Sequence, residues 1–463
     1  MARFLLILLL LIPLGSFGEG LKLSGTLQNR LDHLVKNYPT GFAVQIDDIT
    51  HNKTIYAGNE NTPLNPASVM KLISTKAAID LLGLGFRWET DILITGTALN
   101  KVLTGDLYFR GSGDPTFDLP RFHKLLKKIY DLGVQSIEGN IYVDRSSFSL
   151  APHDPSQFDE EPLRPYNAGA DALPINANVF DIQFIPDQEK KTVTLISSPP
   201  NAPITNQLVL VDRPCTWWPK NPIIENQHIV FRGSYPATCG IKERQYNFLS
   251  HSLYFKNAFA SQWSAIGGTL TGKILEDKTP DSAQLLLTIK SEPLASALRL
   301  TNKWSSNLAA KNIFLTLSAQ QNKTGDLKQS RLIVENWGNG RGLDTRGLVI
   351  DNGAGLSRNG RTTASLISAI LKMAWSDPSM PEFVSSLSMP GVDGTLGKRY
   401  RLSPVEAKAH LKTGYLDSVR SIAGYLHLPK GRTLSIVIIM NHESLTKTST
   451  TMENLVRHLY ETN

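Results

Sequence analysis

Cysteine is nearly absent from this chain: 463 residues contain two, Cys215 and Cys239. That count excludes a disulfide-dense scaffold. Beyond the first fourteen residues there is no long apolar run, so the rest of the chain offers no membrane-spanning helix. No compact Lys/Arg tract occurs, although the formal charge is +7, because the lysines alternate with acids. Nucleic acid is therefore not an expected partner. The ten histidines show no metal-ligand spacing, and no cofactor motif or phosphate loop is visible, so neither a metal nor a cofactor is expected. Repeats at a fixed period and low-complexity tracts are missing as well.

What remains is a globular composition, 41% hydrophobic and 19% charged, long enough for two or three domains. The N-terminus, "MARFLLILLLLIPLGSFGEG", has Arg3 before an apolar run and then small residues. This order is that of a secretory signal over residues 1–18, and it predicts a mature protein in the periplasm or elsewhere outside the cytoplasm. In an exported chain, Cys215 and Cys239, which lie in turn-rich "DRPCTWWPKNP" and "GSYPATCG", are most simply one disulfide.

Strand-like "GFAVQIDDIT" and "KTIYAGN" precede a helix expected over Ser68 to Leu82, stopped by Gly83. From about Arg87 to Lys290 the texture becomes β-rich, with short alternating runs between Pro- and Gly-rich turns. Helices then return, and the chain closes with strands "SIAGYLHL" and "TLSIVIIMN" and a final helix. Strands at both ends with helices between them predict an α+β domain whose sheet joins the N- and C-terminal segments, with small β-rich modules inserted.

"NPASVMKLIST" places Ser68 and Lys71 on one helix face at the head of an apolar segment. They are either a cap and a surface charge or a nucleophile with its base. Lysine is a poor base at its usual pKa of about 10.4. Desolvation and a second cation would favour the neutral amine. Two later patterns could complete such a site: Ser305–Ser306–Asn307, and Lys412–Thr413–Gly414. Each motif occurs twice, with second copies at Ser444–Lys447, Ser357–Asn359 and Lys323–Gly325. Context separates them, because the copies at 68, 305 and 412 adjoin regular elements while the others fall in polar or Gly-rich loops.

The ordered triple is the signature of penicillin-binding proteins and serine β-lactamases. Nearly the whole mature chain resembles the D-alanyl-D-alanine carboxypeptidase/endopeptidase family of low-molecular-mass penicillin-binding proteins, in the branch with an insertion between its first two motifs. "GSGDPTF" (111–117), "GNIYVD" (139–144), "DNGAGLSRNG" (351–360) and "GVDGTLGKR" (391–399) carry the resemblance further. It implies an antiparallel sheet with helices, the serine β-lactamase-like catalytic fold, in residues 19–86 and 288–463. An inserted domain would occupy 87–165 and 245–287, with a second insert nested over 166–244 that contains the disulfide.

By that resemblance Ser68 is acylated, Lys71 takes its proton, Ser305 and Asn307 relay protons and hold the substrate, and Lys412 is the second cation. Thr413 and Gly414 line the carboxylate site, and the backbone N–H groups of Ser68 and Tyr415 hold the oxyanion. Peptidoglycan stem peptides are the implied substrate and β-lactams the implied inhibitors. Ser306 stands where Asp is common. Tyr415 stands where Ser or Thr is usual; this removes a hydroxyl from the carboxylate site and favours cross-bridge cleavage. A β-lactamase or esterase of the same fold, or a catalytically silent wall-binding protein, is the alternative. Asp159, Glu160 and Glu161 read as a solvated acidic loop; the sharper alternative has one of them binding a free amine on the stem peptide. The aspartates of "GSGDPTF" and "GVDGTLG" read as turn formers.

Overall fold

A computed structural model describes residues 21–446 and 449–462. The signal-like residues 1–18 and Lys447 of the second Ser-x-x-Lys copy lie outside the described residues. The chain is organised around one antiparallel five-stranded sheet, in the spatial order 409–416, 419–427, 433–440, 42–48 and 53–58. Phe42 pairs with Met440 and Asp48 with Leu434, so the first strand of the chain sits beside its last.

The strand "TLSIVIIM" is apolar at almost every position because both of its faces are covered. Ile436, Ile438 and Met440 pack under helices Gly25–Asn37 and Ser449–Glu461, through Leu27, Leu31, Leu455 and Leu459. Val437 and Ile439 face the opposite way, toward Leu72, Ile73, Ile313, Phe314, Ile367 and Ile370 on helices Lys71–Leu82, Asn307–Asn322 and Ala364–Trp375. The motifs at 68, 305 and 412 are therefore spread over one helical layer and the adjoining sheet edge.

Residues 89–290 build a second, mixed five-stranded sheet, ordered 274–276, 141–144, 107–110, 89–94 and 284–290. Helices Leu119–Asp131 and His251–Ala265 bury Phe122, Phe255 and Phe259 against Phe109 of that sheet. Three smaller sheets complete this region, and two of them lie between residues 180 and 246. Cys215 and Cys239 are disulfide-bonded there.

Helix Asn307–Asn322 ties the region to the first sheet. Asn312 Nδ2 donates to Gly113 O (2.9 Å) and Asp171 O (2.8 Å), and the Trp88 indole donates to Thr316 Oγ1 (2.8 Å). Among the described residues, no helix is long and apolar enough to cross a membrane.

Candidate active site

The helix expected from Ser68 begins later: Ala67–Met70 form a 3-10 turn, and the α-helix runs Lys71–Leu82. The reason lies upstream. Ala67 is held at φ 45°, in the left-handed region, and its N–H donates to Asn65 Oδ1 at 2.9 Å. Asn65 is in turn locked across the sheet: its N–H donates to Asn441 Oδ1 (2.6 Å), and Asn441 Nδ2 returns to Asn65 O (2.8 Å). Ser421 Oγ donates to Pro66 O at 2.6 Å. The turn carrying Ser68 is thereby fastened to two strands, and the Ser68 side chain stays half-buried.

Lys71 is fully buried, and its Nζ lies 2.9 Å from Ser68 Oγ, 2.7 Å from Asn307 Oδ1 and 2.6 Å from Ala354 O. Burial pushes its pKa well below the ordinary lysine value, with help from the charges of Lys412 and Lys311. A neutral amine so placed donates to Asn307 and Ala354 and keeps its lone pair for the Ser68 hydroxyl.

Lys412 is buried just as completely, on the edge strand Ala409–Leu416; its Nζ donates to Ser305 Oγ (2.9 Å) and Thr413 O (2.7 Å). Burial lowers its pKa to about 7. Ser305 sits at φ 60°, a strained conformation for a residue with a side chain, just before helix Asn307–Asn322. Ser306 caps that helix, accepting from Ala309 N–H, rather than facing the cleft. Asn307 uses both ends of its amide, Oδ1 toward Lys71 and Nδ2 toward Tyr166 O at 2.9 Å.

Gly414 lets the edge strand touch the serine turn. A Cβ there would lie 2.1 Å from Ser421 Oγ and 2.5 Å from Pro66 O. Thr413 Oγ1 meets Thr395 Oγ1 at 3.0 Å, and Thr395 N–H donates to Lys303 O. Tyr415 is 67% exposed, with the Arg420 guanidinium 3.6 Å from its ring centre. All three motifs at 68, 305 and 412 thus converge.

Their second copies do not. Ser357 Oγ accepts from Asn359 N–H in a turn, Lys323 is a helix C-cap, and Ser444 Oγ meets His442 Nδ1.

Sequence reasoning missed Asn65, Asn441, Ser421, Ala354, Tyr166, Lys311 and Thr395. "DNGAGLSRNG" and "GVDGTLGKR" were the available signals for Ala354 and Thr395; the rest had none. Glu160 and Glu161 of the acidic run are exposed, as in a solvated loop, while Asp159 is tied down. Asp159 accepts from the Tyr166 hydroxyl (2.8 Å) and Asn167 Nδ2 (2.7 Å), and Glu161 pairs with Arg164. With Arg358 and Asp417 it lines a cavity of about 510 Å³. Asp114 and Asp393 do shape turns, accepting from Thr116 and Met389 N–H, and also pair with Arg121 and Lys303. Among the described residues, no group of three His, Cys, Asp or Glu side chains could hold a metal.

The chain belongs to the D-Ala-D-Ala carboxypeptidase 3 (S13) family, whose pattern matches residues 27–461. It is 25% identical over 427 residues to a D-alanyl-D-alanine carboxypeptidase of Actinomadura sp. (strain R39), covering 87% of this chain and 78% of that protein. The D-alanyl-D-alanine carboxypeptidase DacB of Haemophilus influenzae is also 25% identical, over 89% of this chain and 90% of its own length. The crystal structure of penicillin binding protein 4 from H. influenzae superposes with TM-score 0.77 at 22% identity, covering 92% of this chain and 98% of that one. A predatory endopeptidase of Bdellovibrio bacteriovorus shares the fold, with TM-score 0.55 at 15% identity over 90% and 92%.

Proposed function

We propose that this S13 chain is a serine-type D-alanyl-D-alanine peptidase that cleaves peptidoglycan stem peptides through an acyl-enzyme on Ser68, and that β-lactams acylate the same hydroxyl. The observation that carries the reading is the buried Lys71 amine, 2.9 Å from Ser68 Oγ, whose pKa burial and the charge of Lys412 push well below the ordinary lysine value. Two relatives bear the name D-alanyl-D-alanine carboxypeptidase, and a structural relative is known in complex with a β-lactam.

In this reading Lys71 takes the Ser68 proton as Oγ attacks the carbonyl between two D-alanines. The backbone N–H groups of Ser68 and Tyr415 receive the oxyanion. The C–N bond then breaks, and the proton taken up by Lys71 passes by way of Ser305 and Asn307 to the leaving amine, while Lys412 stays the second cation. Thr413, beside Gly414, holds the terminal carboxylate. Water, activated by the same base, releases the acyl group.

The exposed Tyr415 supplies no short hydroxyl for that carboxylate, and a cavity of about 810 Å³ opens beside Ser305, Asn307 and Tyr166. Both favour cross-bridge cleavage over strict release of terminal D-alanine. The signal-like N-terminus supports action outside the cytoplasm, and N-terminal sequencing of the mature chain would check it. We read residues 87–287 as the two-part insertion, nested over 166–244, that carries Tyr166 and the acidic loop to the cleft.

The test is labelling with a fluorescent penicillin, run beside cleavage of crosslinked muropeptides. Persistent label on the wild type, lost in Ser68→Ala, supports the reading. Rapid turnover of the label would indicate a β-lactamase, and no label at all a silent wall-binding protein.

A further inference from the structure

Lys311 lies one helical turn beyond Asn307 on the helix Asn307–Asn322, so the two side chains project from the same face. Asn307 reaches Lys71 Nζ (2.7 Å) and Tyr166 O (2.9 Å), while Lys311 Nζ donates to Ala168 O at 3.1 Å. Both side chains grip the short segment 166–168, and the Lys311 ammonium is fixed on the side of the helix that faces Lys71. The residue is half-buried, its ammonium being the hidden end.

A hidden ammonium is expected to have a carboxylate partner. Lys311 has none among the described residues, and its surroundings explain why. The charged groups that interact with it are Lys71 and His153, with Asp154, Asp351 and Arg358 on the wall of the same cavity of about 440 Å³. The acids are already engaged: Asp351 with Arg331 at 2.5 Å, and Asp154 with the Ser156 N–H and hydroxyl. Arg358 pairs with Asp417. The ammonium is left to act on Lys71 and His153.

We propose that Lys311 is a positioning residue for the reaction: a third ammonium, fixed near Lys71, that disfavours a proton on Lys71 through space without touching substrate. The inference rests on Lys71 being the base. The Lys311 charge stands behind burial and Lys412 among the causes that hold Lys71 down. Burial lowers the pKa of Lys311 itself to about 8, so it is charged at the neutral and acidic pH where Lys71 is most exposed to protonation. A neutral donor would serve Ala168 O equally well, so the hydrogen bond alone does not account for a lysine here.

The experiment is the pH dependence of acylation by a fluorescent penicillin in wild type, K311Q, K311M, K311R and S68A. Without the charge, Lys71 takes up a proton more readily. The acid limb should therefore move upward by about half a pH unit or more in K311Q and K311M, with the plateau at high pH retained. K311R should keep the wild-type limb. Loss of a merely structural contact lowers the melting temperature, or the rate at every pH, and leaves the limb in place. An unmoved limb in a folded neutral variant overturns the proposal. So does failure of both neutral variants to fold when K311R folds. Absent acylation in the wild type would fail the function itself rather than this inference.

Discussion

Three lysines, 71, 76 and 412, are completely buried, and their partners set them apart. Lys76 is flanked by Asp80 and Asp377, so its charge is neutralised in place. Lys71 and Lys412 meet only hydroxyl, amide and carbonyl oxygens. Burying an ammonium without a counter-charge costs stability, and a weakened hold on the proton is the response.

This fixes the sign of a pH effect. Lys412 has a folded pKa of about 7 against 10.5 when unfolded, so the unfolded chain holds the extra proton between those values. The resulting penalty is complete below about pH 7 and fades as pH rises toward 10.5. Lys412→Met should therefore show a melting-temperature advantage that is greatest at or below neutral pH and shrinks in alkali. Its acylation rate should fall by a factor of about 100 or more. Calorimetry across that pH range, with penicillin labelling, checks both; an advantage that grew with pH would contradict the assignment.

At the scale of elements, the site is an edge strand laid against a 3-10 turn. Only a residue without a side chain allows the approach at Gly414, where an added Cβ would meet Ser421 Oγ and Pro66 O. Gly414→Ala should leave the sheet assembled at a cost of about 1–3 kcal/mol. It should nevertheless abolish most labelling of Ser68, because the strand carrying Lys412 and Thr413 is displaced from the turn. Near-normal labelling with normal stability would show that the contact is dispensable.

Element identity was largely legible beforehand. The strands 42–48, 419–427 and 433–440 and the helix 307–322 follow from apolar pattern and β-branched content. The start of the serine-bearing element was not. Its first turn takes its shape from Asn65 and Asn441, which are 376 residues apart, and no local signal registers that contact.

Across the whole molecule, the β-rich region of 89–290 delivers Tyr166 and Ala168 to the helix Asn307–Asn322 while burying a core of its own. The disulfide closes a separation of 24 residues within that region. Replacing both cysteines by serine should cost about 2–4 kcal/mol of stability. Penicillin labelling at 25 °C should be unchanged. Denaturant unfolding together with labelling tests this, and loss of labelling in a folded variant would show that the staple reaches the active site.

The residue types and order of the three motifs, the strands that bracket the chain and the single cysteine pair were determined by the sequence alone, because each is written in local pattern or spacing. How closely the motifs at 68, 305 and 412 meet was decided in three dimensions. So were the left-handed backbone at Ala67 and Ser305 and the lowered pKa of Lys71. Those properties depend on burial and on charges contributed by distant segments. Electrostatic and desolvation energies act through space, and only the folded chain sets the distances.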